Sequence, residues 1–288
     1  MYRESQKNMK TIGIADFKKL VMERLANPRD YAGRSLVLWN ADYNDYGIAY
    51  RVIEQCCEIY NKQNPNDQVW FRVSDMTFDN DDYTKQTCMC KKYVRDEKTN
   101  KYHQHIEMKE CGILFNTGCY MLSDKEDWLK FVNTHTNRRG HVFQDCAVIV
   151  CAQADQLSYF PSWGSKDPFI LKEEQFGDNC DIYSIQPTLD EWATWVASYC
   201  RPEVLKVVRA YIEKNGIGDE PYGFEYWQRI MTELDNLVKN EGCPINQIPK
   251  EFVETRLCGA VSTKSPAPEF CDFIYEQERL CDFNNRVV

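Results

Sequence analysis

The pattern of apolar and polar positions changes along the chain, and the change predicts two kinds of structure. Up to about residue 186, short apolar runs alternate with segments in which apolar residues recur every three to four positions. Beyond that point only the helical period remains. This order predicts a parallel α/β region followed by a helical one.

Short apolar or alternating runs in the first part of the chain predict strands. The predicted strands are Ser35–Trp39, Val69–Val73, Gly112–Phe115, Ala147–Ala152 and Asp181–Ile185. Residues 76–110 are charged and irregular, and one hairpin is expected there, around Glu97–Asn100.

Segments with a helical period lie between these strands and dominate after them. Asp16 is expected to cap the first helix, and Asn27-Pro28 to end it. Trp192 and Trp195 lie one helical turn apart, a spacing typical of aromatic packing in a core. The predicted helices are Phe17–Ala26, Ile48–Asn61, Lys125–Asn133, Leu189–Tyr199, Glu203–Asn215, Tyr226–Lys239 and Glu269–Leu280.

Composition narrows the classes of protein that these elements can build. The chain has 288 residues, a formal net charge of −9, 43% hydrophobic residues and 27% charged residues. The length predicts about two domains, and the balance of residue types predicts a sizeable core rather than disorder. The acidic balance argues against non-specific binding of nucleic acid, because the excess cations that neutralise phosphates are missing.

Membrane and export signals are not found in the sequence. No apolar run approaches the roughly 20 residues of a membrane span, and the polar start MYRESQKNMK has no apolar leader-like stretch. We therefore expect a cytoplasmic protein that makes no membrane contact. In that setting the 14 cysteines are expected to be reduced and mostly buried, and no local signature pairs one of them with a histidine for nucleophilic chemistry.

The first part of the chain contains four segments in a recognisable order. Ser35–Gln55 (SLVLWNADYNDYGIAYRVIEQ) holds an apolar strand that ends in Leu-Trp, a loop and a helix, and Phe71–Tyr83 (FRVSDMTFDNDDY) holds a strand with acidic residues after it. Gly112–Cys119 (GILFNTGC) and Val148–Asp155 (VIVCAQAD) are two further strands with polar ends. These segments resemble, in order, the phosphate loop, second strand, Walker B strand and sensor 1 strand of the MoxR-like AAA+ ATPase family.

Four later segments extend the resemblance to about residues 14–276. Gln175-Phe176 stands where that family has an Arg-Phe pair, and Gln186–Val196 (QPTLDEWATWV) resembles its acidic-Trp-x-x-Trp helix start. Pro221–Glu225 (PYGFE) resembles the sensor 2 stretch Pro-Arg-Ser-Trp-Glu. Leu257–Ile274 resembles the family's terminal helix pair. The collinear order of the eight segments carries the resemblance.

The resemblance implies a fold class and a division into domains. It implies an α/β fold in which an AAA+-like parallel sheet flanked by helices, a P-loop NTPase-type core, is followed by an all-helical lid domain. The implied parts are an N-terminal helix and arm over residues 1–33, the core over 34–186 and the lid over 187–288.

The residues that would grip phosphate in such a fold are missing from the loop at Asn40–Gly47. A phosphate loop needs glycines whose backbone N–H groups wrap the phosphates, followed by a lysine that neutralises charge. This loop reads NADYNDYG, with Asp42 and Asp45 where negative phosphates would lie. Two like charges 4 Å apart repel by about 4 kcal/mol at an effective dielectric constant near 20.

The other positions that the resemblance assigns to hydrolysis are also changed. Thr117-Gly118 stands where the Walker B Asp-Glu pair would hold Mg²⁺ and activate water. Gln153 stands at sensor 1, usually Asn, Gln175 replaces an arginine, and Tyr222 replaces the sensor 2 arginine. No catalytic residue of the family is therefore carried over to this chain.

Two hypotheses of function follow from these changes. The first is a catalytically inactive AAA+-like protein without a cofactor, a structural or adaptor subunit whose lid-to-core surfaces would bind protein partners in a homo- or hetero-oligomer. The alternative is a divergent but active ATPase that uses ATP and magnesium, with Asp42 or Asp45 on the metal and Lys91 or Lys92 on phosphate.

A third alternative is an unrelated α/β protein that binds zinc. Cys88, Cys90, His103 and His105, with Cys111 after them, are residue types that bind zinc, and positions i and i+2 share a face of a strand. The expected turn at Glu97–Asn100 does not lie midway between the two pairs. It offsets them by about two residues each, or roughly 7 Å, so buried thiols and surface imidazoles are the favoured interpretation.

Overall fold

The fold is described by a computed structural model over a defined set of residues. The described residues are 9–39, 41, 47–74, 87–95, 102–116, 125–135, 145–152, 155–156, 169–170, 172–217, 223–260 and 268–276. For 74, 87–95, 102–109, 125, 155–156, 169–170, 173 and 258–260 the description is of the backbone alone.

The chain divides into two compact units. The first comprises Met1–Asp45 and Ala49–Ile185, and the second comprises Tyr46–Ile48 and Gln186–Val288. The division at Ile185 coincides with the change from a mixed to a purely helical pattern in the sequence. The short segment Tyr46–Ile48 belongs to the helical unit although it lies 138 positions earlier in the chain than Gln186 (186 − 48 = 138).

The predicted parallel α/β region is confirmed in the first unit. Six strands form an all-parallel sheet in the order β1-β9-β2-β6-β5-β3, and β4 pairs with β5 in the antiparallel sense. Two short strands, β7 and β8, pair separately. The strands are β1 (Lys10–Ile12), β2 (Ser35–Trp39), β3 (Val69–Ser74), β4 (Thr87–Arg95), β5 (Tyr102–Asn116), β6 (Ala147–Ala152), β7 (Asp155–Gln156), β8 (Phe169–Ile170) and β9 (Cys180–Ile185).

Helices cover both faces of this sheet, as the continuous apolar runs of β2 and β6 require. On one face, Val37 and Trp39 belong to a core cluster with Trp128 and Phe131 of α3. On the other face, the ring of Tyr50 in α2 contacts Phe71 and Phe115, with ring centroids 4.9 and 6.5 Å away. The helices of the first unit are α1 (Ile14–Ala26), α2 (Ile48–Gln63, whose first residue is grouped with the second unit) and α3 (Lys125–Thr134).

A glycine permits α1 to approach the sheet closely. The register of β3 against β5 shifts between Trp70 and Phe71, opposite Gly112. A Cβ at Gly112 would lie 2.9 Å from Leu25 Cδ2 of α1 and 2.9 Å from the Val69 side chain. Only glycine therefore fits here without movement of its neighbours.

The second unit is built of helices packed through aromatic side chains. The ring of Tyr211 lies 5.3 Å from Trp227, 5.1 Å from Phe270 and 5.2 Å from Phe273, measured between centroids. Thr188 caps the first helix by accepting a hydrogen bond from the backbone N–H of Glu191. The helices are α4 (Leu189–Val196), α5 (Pro202–Asn215), α6 (Gly223–Glu241), α7 (Lys250–Ala260) and α8 (268–276).

The structure corrects several of the sequence predictions at the ends of elements. The first helix begins at Ile14 with Gly13 as its N-cap, so Asp16 lies in the first turn and does not cap it. The helix after Thr188 ends at Val196 rather than Tyr199. The sequence pattern missed α7, whose few apolar positions give only a weak helical stripe. Within the described residues, no helix is both long enough and apolar enough to cross a membrane.

A buried ion pair ties α1 to β9. The Arg24 side chain is 2% exposed, and its Nη2 donates to Asp181 Oδ2 at 2.8 Å. Arg34 donates to the other carboxylate oxygen at 2.6 Å, and the Arg24 guanidinium lies 4.3 Å from the centroid of the Tyr31 ring. Burial lowers the pKa of Arg24, and the charge of Asp181 opposes that change. The negative charge of Asp181 therefore compensates the positive charge of Arg24, whose guanidinium is almost completely removed from water.

We predict that Asp181→Ala lowers the free energy of unfolding by about 3–5 kcal/mol, because it leaves the Arg24 charge buried and unpaired. Asp145→Ala is the control, since it removes an ion pair to Arg29, whose side chain is 78% exposed. The control should lose less than about 1 kcal/mol. Urea unfolding measures both, and equal losses in the two variants would contradict the prediction.

Candidate functional site

The topology of the sheet indicates where a ligand would bind. In open α/β sheets, ligands bind outside the carboxyl ends of the strands, where neighbouring connections leave in opposite directions. The chain leaves β2 toward β3, on the β6 side, whereas it leaves β6 toward β9, on the far side of β2. Trp39 and Ala152, which end these two strands, are register partners. The carboxyl ends of β2 and β6 are therefore the candidate site.

The segment predicted as a phosphate loop directly follows β2 in the chain. β2 ends at Trp39 and α2 begins at Ile48, so residues 40–47 connect a central strand to the next helix. Ala41 and Gly47 are buried. Three of the candidate residues, Asn40, Asp42 and Asp45, lie outside the described residues.

The strand assigned to Walker B ends in a polar residue that packs within the protein. β5 lies between β6 and β3, in the interior of the sheet, and its last residue is Asn116. Asn116 is fully buried, and its Oδ1 accepts a hydrogen bond of 2.8 Å from the indole Nε1 of Trp128 in α3. Thr117, the residue predicted at this position, lies outside the described residues. The sequence analysis missed Asn116, although a polar residue at the end of an apolar strand was the signal for it.

Gln175, predicted to replace a family arginine, takes part in a local turn. Its Oε1 accepts from the backbone N–H of Lys172 at 3.0 Å, and its backbone carbonyl accepts from Asn133 Nδ2 at 2.9 Å. The neighbouring Phe176 is buried edge-on between the rings of Trp39 and Trp128, at 6.0 and 6.1 Å. With these two hydrogen bonds, Gln175 stabilises the segment that leads into β9. Two other candidates, Gln153 and Tyr222, lie outside the described residues.

The N-terminus of α2 is bound by a carboxylate of the chain itself. The backbone N–H of Ile48, the first residue of α2, donates to Glu225 Oε2 at 2.8 Å. Ile48 is fully buried and Glu225 is 8% exposed, and both belong to the second unit. Glu225 lies in the first turn of α6, where a negative charge also favours that helix. The sequence analysis quoted Glu225 within PYGFE but assigned it no role.

The antiparallel pair β4–β5 confirms the predicted hairpin and argues against one shared zinc site. Cys90 and His105 are two register positions apart, but Cys88 and His103 are six apart, or roughly 20 Å at about 3.3 Å per residue. Zinc binds its ligands at about 2 Å, so one ion cannot reach all four. The side chains of the four residues lie outside the description. Within the described residues, no group of three or more His, Cys, Asp or Glu side chains could hold a metal ion.

The two lysines considered for an active ATPase lie at the wrong end of the sheet. The register partner of Lys91 is Ile106, and that of Lys92 is His105. Ile106 lies ten positions before the carboxyl end of β5 at Asn116, or roughly 33 Å along the strand. The backbone of both lysines therefore lies far from the carboxyl end of β5.

The described cysteines have the properties of structural thiols. The nine cysteines whose side chains the structure describes are free, and seven of them are buried. Burial raises the pKa of Cys56, Cys180 and Cys200 to about 12 each. A thiol with such a pKa carries almost no thiolate near neutral pH, and the thiolate is the nucleophile. These three cysteines are therefore unsuited to nucleophilic catalysis.

A buried histidine ends α3 and gives the fold a dependence on pH. His135 has a φ of 54°, and its backbone N–H donates to the Phe131 carbonyl at 2.7 Å. Its ring is fully buried, and burial lowers its pKa from 6.5 to about 4. Between these values the unfolded chain binds a proton that the folded protein does not, so stability falls as the pH falls.

We predict that the titration of His135 alone lowers the free energy of unfolding by about 2 kcal/mol when the pH falls from 7 to 5. His135→Asn removes the titrating ring, and asparagine tolerates the left-handed backbone. Urea unfolding at several pH values should therefore show a shallower loss in the variant than in the wild type. Parallel pH profiles for the two proteins would contradict a neutral, buried His135.

We compared the chain with protein-family models and with curated proteins, and neither comparison found a match.

Proposed function

We propose that this protein is a catalytically inactive AAA+-like subunit that acts by binding other proteins, as a structural or adaptor component of a larger assembly. The observation that carries the proposal is a parallel sheet compatible with a P-loop-like core whose β2–α2 connection contains neither a glycine-rich run nor a lysine to grip phosphate. On this proposal the chain keeps the parallel sheet of such a protein but lacks the side chains that would bind and hydrolyse a nucleotide at its carboxyl edge.

The electrostatics of the β2–α2 connection support the proposal. A phosphate loop offers backbone N–H groups and one lysine to three or four negative oxygens. The sequence of residues 40–47 offers two aspartates and two tyrosines, and no lysine or arginine. The carboxylates would repel the phosphates, and the tyrosine side chains would replace the glycines that allow close backbone approach.

Neighbouring positions support it in the same way. Asn116 ends β5 and accepts from the Trp128 indole, and Gln175 accepts from Lys172. Gln175 stands where the resemblance would put an arginine, and Asn116 directly precedes Thr117-Gly118, where it would put an acidic pair. An arginine that stabilises transferred charge can contribute about 10³–10⁵ in rate, so its replacement by a neutral amide removes a large part of catalysis.

Loss of hydrolysis leaves the binding surfaces of such a subunit intact. AAA+-type subunits assemble side by side through lid-to-core contacts, and these contacts do not need bond cleavage. The helical unit of this chain has its own aromatic core around Tyr211 and Trp227. A rigid unit of this kind can present a fixed surface to a partner.

Mixing the purified protein with Mg-ATP tests the proposal. We expect no phosphate release and no change in melting temperature, with an active AAA+ ATPase as the positive control. A nucleotide at 100 times its Kd would add about 2.7 kcal/mol of stability, which is a shift of a few degrees for a chain of this size. Phosphate release by the wild-type protein would end the proposal.

Mass photometry tests the binding role separately. A single chain has a mass of 33.9 kDa, so multiples of that mass indicate self-assembly and other masses indicate a second component. We expect the protein purified at native abundance to be larger than one chain. A protein that stays monomeric at every concentration, and has no partner after native purification, would contradict a subunit role.

A further inference from the structure

The layer between α4 and α6 contains two buried polar atoms that need partners. The side chains of Trp192 and Gln228 are both fully buried. Among the described residues, none forms a hydrogen bond with Trp192 Nε1 or with Gln228 Oε1. Nearly all buried polar groups in proteins have at least one partner, which is either a protein atom or an ordered water. The two atoms therefore indicate a ligand inside the helical unit.

Ring and hydrogen-bond contacts place both side chains in the same layer. The Trp192 ring packs on Phe224, with centroids 5.4 Å apart, and Phe224 lies one helical turn before Gln228 in α6. Tyr199, seven positions after Trp192, accepts a hydrogen bond of 2.6 Å from Gln228 Nε2. The side of α4 that carries Trp192 therefore faces the side of α6 that carries Gln228.

The hydrogen bonds of Gln228 fix which atom of its side-chain amide lacks a partner. Thr232 Oγ1 donates its one hydrogen to the backbone carbonyl of Gln228 at 2.8 Å. Toward the Gln228 side chain this hydroxyl can only accept, at 3.4 Å, so the amide nitrogen lies on that side. The nitrogen uses its two hydrogens on Thr232 and Tyr199, and Oε1 is left as an acceptor that needs a donor.

We propose that the core between α4 and α6 binds one structural water molecule, which accepts a hydrogen bond from Trp192 Nε1 and donates one to Gln228 Oε1. One atom is a donor and the other an acceptor, but the two do not bond to each other. Water both donates and accepts, so a single molecule completes both groups. The inference does not depend on the proposed function, because it concerns the interior of the helical unit alone.

The packing around the two atoms selects a ligand of this size. Aromatic rings line the layer, with Trp195 on Tyr199 at 5.2 Å in addition to Trp192 on Phe224. Protein interiors are close-packed, so a larger polar ligand would have to displace one of these rings. A buried water makes about two to four hydrogen bonds to groups that have no other partner. An indole N–H and an amide oxygen supply two.

Water–protein NMR on the full chain tests the inference. We expect a cross-peak between water and the indole Hε1 of Trp192 that has opposite signs in laboratory-frame and rotating-frame spectra, as dipolar contact with a bound water gives. Exchange of the proton with solvent gives the same sign in both. Trp227 is the control, because it is equally buried in the same unit but donates to the Ile217 carbonyl at 2.8 Å. Its indole proton should show no dipolar cross-peak to water.

Two variants test whether Trp192 and Gln228 share the water. Gln228→Met removes the acceptor with little change in side-chain length, so the water loses a partner. We expect the cross-peak at Trp192 Hε1 to fall at least about twofold, because a buried water needs two or more partners to stay bound. Thr232→Val is the matched control, since it changes another contact of Gln228 and leaves Trp192 Nε1 and Gln228 Oε1 in place. The cross-peak should persist in this variant.

Two results would overturn the inference. One is a Trp192 Hε1 that shows no dipolar cross-peak to water or shows the same behaviour as Trp227. The other is a cross-peak that stays unchanged in Gln228→Met, which means that the water is not held by Gln228. If Gln228→Met does not fold, the comparison of Trp192 with Trp227 in the wild-type protein decides the outcome. Failure of the proposed function is read separately, from phosphate release and from mass photometry.

Discussion

A parallel sheet must be covered on both faces, and this requirement sets the arrangement of the first unit. The strands β2 and β6 are buried along their whole length, so α2 packs on one face and α3 on the other. Parallel strands also need long crossover connections, and each of these leaves the sheet at the carboxyl end of a strand. The same requirement that stabilises the core therefore leaves one edge where loops and helix ends converge.

Several polar groups of the described residues form hydrogen bonds within the protein. Asn116 binds Trp128, Gln175 binds Lys172, and Glu225 binds the first amide of α2. A buried polar group without a partner costs about 1–3 kcal/mol, so these bonds contribute to the stability of the fold.

The sequence predicted the sheet better than it predicted the candidate site. Runs such as Ala147–Ala152 are bounded by polar residues, so their local pattern defines the strand, and the structure gives the same bounds. In contrast, β4 reads TCMCKKYVR, with two adjacent lysines and no continuous apolar run, and its strand character comes from pairing with β5. The helix α7 has few apolar positions and is stabilised by neighbours that the local pattern does not reveal.

The site was harder to predict because its contacts join residues far apart in sequence. The residues of a phosphate-binding loop lie close together in the sequence, so one short segment is enough to show whether that motif is present. The carboxylate that binds the first amide of α2 comes from 177 positions away, and nothing in PYGFE distinguishes Glu225 from a solvated glutamate in a first turn. Its burial follows from the tertiary fold alone. Contacts of this kind, between residues far apart in the sequence, become visible only when the chain is folded.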